Sequence, residues 1–281
     1  MRLRLLTSLV TLSVAFSANP ALGADGLFNT DKTNNFLLGT IFSLLVVGYI
    51  RLARRKDLYI RRLAGLEALD EALGRATEMG KSVLFIHGLH DMNSVSTIAA
   101  VNVLSQLAKR AATYGAHLKV ANRYPIVMSV SQEVVKEAYL DAGRPDAYNE
   151  NDIFFAAADQ FSYAATLDGM MTREKPAANI MMGYFYAESL LLTETGASTG
   201  AIQIAGTDAY TQLPFFVTTC DYTLMGEELY AASAYLSRDP KLLGSLKAQD
   251  ASKAFLAASL LVGTVLNSFG FTWFSQLFLS Q

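Results

Sequence analysis

From Thr33 to Ile50 the chain carries no charged side chain, and Arg51, Arg54, Arg55 and Lys56 follow at once. An apolar run of about 18 residues is long enough to cross the hydrocarbon core of a bilayer as a helix. Lys and Arg crowded on one flank mark the cytoplasmic side of such a span. The expectation is a transmembrane helix over 33–53, with the main body of the chain in the cytoplasm at a bacterial inner membrane.

The other end repeats the pattern. No charge follows Lys253 as far as Gln281, and Trp273 and Phe274 stand where an interfacial aromatic belt belongs. A second span is expected over 254–279. The first residues differ in kind: Arg2 and Arg4 precede a short apolar run, Leu5 to Phe16, and Ala21-Leu22-Gly23 offers a small-x-small cleavage site. Residues 1–24 therefore read as a signal peptide or an uncleaved N-terminal apolar segment, and both give the same topology.

Composition agrees. Hydrophobic residues make up 52% and charged residues 17%, below the usual quarter for a soluble domain. A net charge of −2 leaves no basic face once the arginine cluster is set aside, which argues against nucleic acid as a partner. A single cysteine, Cys220, excludes an internal disulfide and any Cys-rich metal site, and reads as a buried small apolar residue.

Between the two apolar ends, 57–80 reads as a juxtamembrane amphipathic helix, with Leu63, Leu66, Leu69, Leu73 and Ala76 at three- and four-residue steps and Gly80 as its stop. From 81 to 250 short apolar runs alternate with helical patterns. Strands are expected at 82–86, 117–121, 152–156, 179–182, 201–205 and 222–225. Ser129 with Gln132 reads as a capping box that opens a helix, and Asp159 as the cap of another. Helices are expected near 186–195, 210–219 and 227–237. Strands apolar on both faces, each followed by a helix, mean a mostly parallel sheet covered on both sides, a Rossmann-like α/β domain held between two membrane helices.

Several segments carry a resemblance: Asp159-Gln-Phe-Ser-Tyr-Ala, Arg173-Glu-Lys-Pro-Ala-Ala-Asn-Ile180, Gly200-Ala-Ile-Gln-Ile-Ala-Gly206 and Gly226-Glu-Glu-Leu-Tyr-Ala-Ala-Ser-Ala-Tyr235. They resemble an uncharacterised bacterial family of membrane-anchored proteins with a domain of unknown function, over roughly 82–250. The resemblance implies membrane attachment and an α/β body, and brings no activity, cofactor or catalytic residue.

Familiar catalytic motifs fail in context. Gly196-Ala-Ser-Thr-Gly200 matches the nucleophile elbow, yet it precedes a strand instead of following one, and the three histidines, His87, His90 and His117, all lie upstream of it. Gly80-Lys-Ser82 resembles the end of a P-loop but has Arg75 where the first glycine belongs and leads into a strand. No dinucleotide fingerprint follows any strand.

What remains is a set of polar residues at the carboxyl ends of strands, where open parallel sheets bind ligands. His87, His90, Asp159, Glu188, Asp208 and Glu227 are the candidate ligand-binding residues. Converging carboxylates and imidazoles could hold Mg²⁺, Mn²⁺ or Zn²⁺, or serve acid–base chemistry. Against this, acidic residues at helix starts are common as caps. Two functions follow from different classes: a non-enzymatic, membrane-tethered scaffold that assembles into a cyclic homo-oligomer, or a small-ligand or metal-binding sensor or enzyme. No cofactor can be named from the sequence.

Overall fold

The computed structural model describes residues 33–271 except 57, 60 and 62, so the N-terminal segment 1–24 and the aromatic residues beyond Phe271 lie outside the described residues. The chain divides into two compact units: 33–52 with 247–271, and Ala53–Leu246.

The first unit consists of helix α1 (Thr33–Ala53) and most of helix α9 (Pro240–Ser268). Both are long and apolar enough to cross a membrane. Their large side chains face outward: Phe36 is 59% exposed, Leu260 71% and Leu261 70%. Leucine and phenylalanine displayed in this way on whole helices belong against lipid rather than water, which points to membrane association.

The second unit is an α/β domain. Its strands are β1 (Val83–His87), β2 (Leu118–Asn122), β3 (Ile153–Phe155), β4 (Ala178–Met182), β5 (Ile202–Thr207) and β6 (Tyr222–Met225). All pair in parallel, in the order β3-β2-β1-β4-β5-β6. This is the doubly wound order, whose direction of travel reverses between β1 and β4.

The helices are α2 (Ala64–Met79), α3 (Val95–Tyr114), α4 (Pro125–Asp141), α5 (Gln160–Glu174), α6 (Glu188–Ser198), α7 (Leu213–Thr219) and α8 (Glu227–Ser237). The period of two in a strand sorts its side chains between the two layers. Val83 and Phe85 of β1 join the cluster built with α2, α3, α4 and α8. Leu84 and Ile86 join the one built with α5, α6 and α7. Both faces of β1 and β4 are fully buried, which explains their largely apolar sequences.

Helix α2 shows the agreement of pattern and packing. Leu66, Leu69, Leu73 and Ala76 are wholly buried, and each leucine there contributes about 2–5 kcal/mol against alanine. Gly80 ends the helix at φ 60°, a left-handed conformation in which its N–H closes onto the carbonyls of Ala76 and Thr77. The helix begins at Ala64, however, later than its apolar periodicity predicts.

Helix α4 corrects the sequence reading more sharply. It opens at Pro125, whose fixed φ and missing N–H suit a first turn. Ser129 therefore sits inside the helix and donates to the Pro125 carbonyl at 3.1 Å, and Gln132 reaches the Ile153 carbonyl instead of a cap. Helix α7 likewise starts at Leu213, followed by Pro214, rather than at Tyr210.

Candidate functional site

The carboxyl end of the sheet is where a doubly wound domain ordinarily holds its ligand, in the crevice between the two strands flanking the reversal. Here those strands are β1 and β4. After β1 the chain runs Gly88-Leu89-His90-Asp91, and after β4 Gly183-Tyr184-Phe185-Tyr186.

These two segments close on each other. The Gly88 N–H donates to the Met182 carbonyl at 2.9 Å, and the Leu89 N–H to the Tyr184 carbonyl at 2.7 Å. A Cβ on Gly88 would meet the backbone N and O of Tyr184 at 2.5 Å, so only glycine permits this approach. Above the pair, the His90 ring stacks on Tyr184 with centroids 4.2 Å apart. Its Nε2 lies 3.0 Å from the Tyr186 hydroxyl and its Nδ1 3.4 Å from Ser94 Oγ. The three rings of His90, Tyr184 and Tyr186 pack against one another there.

His87 lies beneath, at the end of β1, with no exposed surface. Ser131 Oγ donates to Asn122 Oδ1 at 3.2 Å, so its oxygen accepts from His87 Nε2 at 3.1 Å. Asn122 spends its amide on the carbonyls of Val120 and Phe154. That chain of donors leaves the imidazole protonated on Nε2, with Nδ1 a buried acceptor that has no partner among the described residues. Burial pulls the His87 pKa down to about 3, so the ring is neutral at physiological pH. The Tyr163 hydroxyl ties the neighbouring strand ends together, donating to the carbonyls of His87 at 2.8 Å and Ala121 at 3.1 Å.

Three of the four predicted carboxylates make local hydrogen bonds. Asp159 caps α5, accepting from the N–H and hydroxyl of Ser162, both at 3.0 Å. Those bonds hold its carboxyl below the usual range. Glu188 is fully buried at the start of α6, where one oxygen accepts from the Tyr186 N–H at 2.8 Å and the other from the Gln160 amide at 2.6 Å. Asp208 accepts from the Tyr230 hydroxyl, whose pKa is raised first by burial and then by that bond. Glu227 occupies the first turn of α8.

Tyr186 bonds two of the candidates from opposite ends, its backbone N–H donating to Glu188 and its hydroxyl lying against His90. Among the described residues, no group of three or more His, Cys, Asp or Glu side chains could hold a metal ion. The glycine-flanked serine, Ser198, lies in the last turn of α6 and donates to the Thr195 carbonyl. Cys220 is half-buried, and burial pushes its thiol up to about 12, which leaves it unreactive.

Sequence reasoning missed Ser131 and Tyr163, and it did not count Tyr184 and Tyr186 among the site residues. Ser131 and Tyr163 are hidden among helical residues, and their partners lie 44 and 76 positions away. The tyrosines carried a signal, since two aromatic residues directly follow a buried strand at the carboxyl end of the sheet.

No curated protein and no solved structure matches the chain. A family model does, over residues 23–278, and the chain belongs to that family, described as Domain of unknown function (DUF6754).

Proposed function

We propose that the protein is a non-enzymatic scaffold of the plasma membrane, anchored by its two apolar helices, whose cytoplasmic α/β body assembles into a cyclic homo-oligomer. One observation carries the reading. At the end of the sheet where a ligand would be expected, Asp159 and Glu188 are engaged in local hydrogen bonds and Asp208 accepts from Tyr230, while the same end presents large apolar side chains. Val95 is 65% exposed, Ile126 60%, Phe161 59% and Tyr210 74%, and each lies within a few residues of a strand's carboxyl end or a helix start. Apolar groups gathered at one end of a domain are the usual mark of a protein contact.

The charge pattern supports the orientation. Arg51, Arg54 and Arg55 end or directly follow α1, as expected for a cytoplasmic flank. Copies tethered in one plane share an axis along the membrane normal, so closed rings are the natural assembly. Mass photometry of the intact protein in a mild detergent tests this. One species at an integral multiple of the 30.5 kDa chain mass is expected, shifting toward monomer in an Ile126→Ser, Phe161→Ser double variant. A monomer that persists across dilution and after crosslinking in native membranes overturns the reading.

A further inference from the structure

The opposite end of the sheet holds a cleft that the scaffold reading does not use. It opens at the amino ends of β2 and β3, encloses about 200 Å³, and is walled by the end of α3, by α4 and by the 3-10 turns Pro145–Ala147 and Glu150–Asp152. Ala111, Ala112 and Ala116 form a floor of small side chains, and Tyr139 and Tyr148 meet edge to face at 6.2 Å as an aromatic wall. The wall is braced: the Tyr148 hydroxyl donates to the Gln132 carbonyl, and Asn149 accepts from the Asn151 N–H to shape the second turn.

The rim carries both signs of charge. Arg144 makes one long ion pair among the described residues, from Nε to Asp146 at 3.6 Å, which leaves its two terminal NH2 groups for a bidentate carboxylate. Asp152 stands across from it, paired with His117 Nε2 at 2.9 Å. Arg144, Asp152 and Tyr139 all line this one cleft. The electrostatics agree: burial raises the Tyr139 pKa most, Asp152 raises it further, and Arg144 lowers it. Its volume is below the 300–1,000 Å³ typical of drug-sized and cofactor ligands, so a nucleotide does not fit.

We propose that this cleft binds a small zwitterion with an apolar side chain, a molecule with the charge and size of a free amino acid. Arg144 takes the carboxylate, Asp152 takes the ammonium, and the apolar part lies on the alanine floor against Tyr139 and Tyr148. A site with one charge of each sign is complementary to a ligand with one of each and discriminates against either charge alone.

The test is calorimetric titration of the full-length protein in detergent, with L-phenylalanine as the probe and 3-phenylpropanoate and 2-phenylethylamine as its single-charge analogues. Saturable binding of L-phenylalanine is expected, with each analogue weaker by roughly tenfold or more, the loss of one charged contact. Arg144→Gln and Asp152→Asn should each weaken L-phenylalanine by roughly the same factor, with thermal unfolding unchanged. Ala147→Phe, at an exposed position on the cleft wall, should abolish binding by filling the mouth. Absence of saturable L-phenylalanine binding overturns the proposal. Equal affinity for the zwitterion and either analogue, or binding that survives both Arg144→Gln and Ala147→Phe, overturns it too. Oligomeric state enters none of these readouts, so the result is independent of the scaffold reading.

Discussion

At the carboxyl end of the sheet the polar groups bond to one another, whereas at the amino end of β2 and β3 charged groups border an open cleft. Gly88, His87, Tyr163 and Glu188 form a layer in which backbone, ring and hydroxyl are mutually packed. Around His117, Arg144 and Asp152 the side chains are partly exposed and held by single ion pairs. The difference shows how the same doubly wound topology can put its usual ligand crevice to structural use. At the reversal the two loops are held together by a glycine contact, with His90 and two tyrosines packed against one another above it.

If that contrast is right, the carboxyl end should respond to substitution through stability. The largest effect is expected at Gly88. In Gly88→Ala the added carbon meets Tyr184 backbone atoms at 2.5 Å, and backbone cannot turn aside as a side chain can. A loss of about 3 kcal/mol or more in denaturant unfolding is expected. A loss below about 1 kcal/mol would show that β1 and β4 separate easily and that the crevice can open.

The next effect is pH dependence from His87. The folded imidazole takes a proton only near pH 3, while the unfolded one takes it near 6.5. Acid in this window therefore favours the unfolded chain: the stability is complete above pH 6.5 and declines as pH falls. About 2 kcal/mol should be lost between pH 7 and pH 5 relative to a His87→Gln variant measured alongside. Parallel pH profiles for the two proteins would mean that His87 reaches solvent or a partner in the folded state.

The smallest effect is expected from Tyr163→Phe, which keeps the ring and removes the hydroxyl shared by the His87 and Ala121 carbonyls. About 1 kcal/mol should be lost. A neutral substitution would mean that water replaces the hydroxyl, and hence that the layer under the crevice is wetter than its burial suggests.

Local rules made much of the fold legible in the sequence. Short, mostly apolar runs at 82–86 and 179–182 marked strands buried on both faces, and β1 and β4 lie there within a residue. Gly80 as a helix stop and Asp159 as a helix cap depend on neighbours within four residues, and both occur. The capping box at Ser129 failed because two signals competed over a short stretch. Pro125 at a first-turn position starts the helix earlier, which turns Ser129 into an interior residue. In the candidate site, His87 ends β1 while Asp159 and Glu188 lie at the helix starts that follow β3 and β4, and their partners left no local trace in the sequence.

The sequence by itself determined what depends on periodicity, composition and short-range chemistry: a parallel α/β body, and two long apolar helices at the ends of the chain. Tertiary structure alone decided the strand order β3-β2-β1-β4-β5-β6, because parallel neighbours are joined by crossovers and adjacency leaves no local trace. It also decided that the two loops at the switch point close on each other, through a Gly88–Tyr184 contact across 96 residues. The His117–Arg144–Asp152 cleft was equally invisible in the sequence. Its walls come from two helices and two strand starts, and charges so far apart along the chain become a site only when packing sets them around one space.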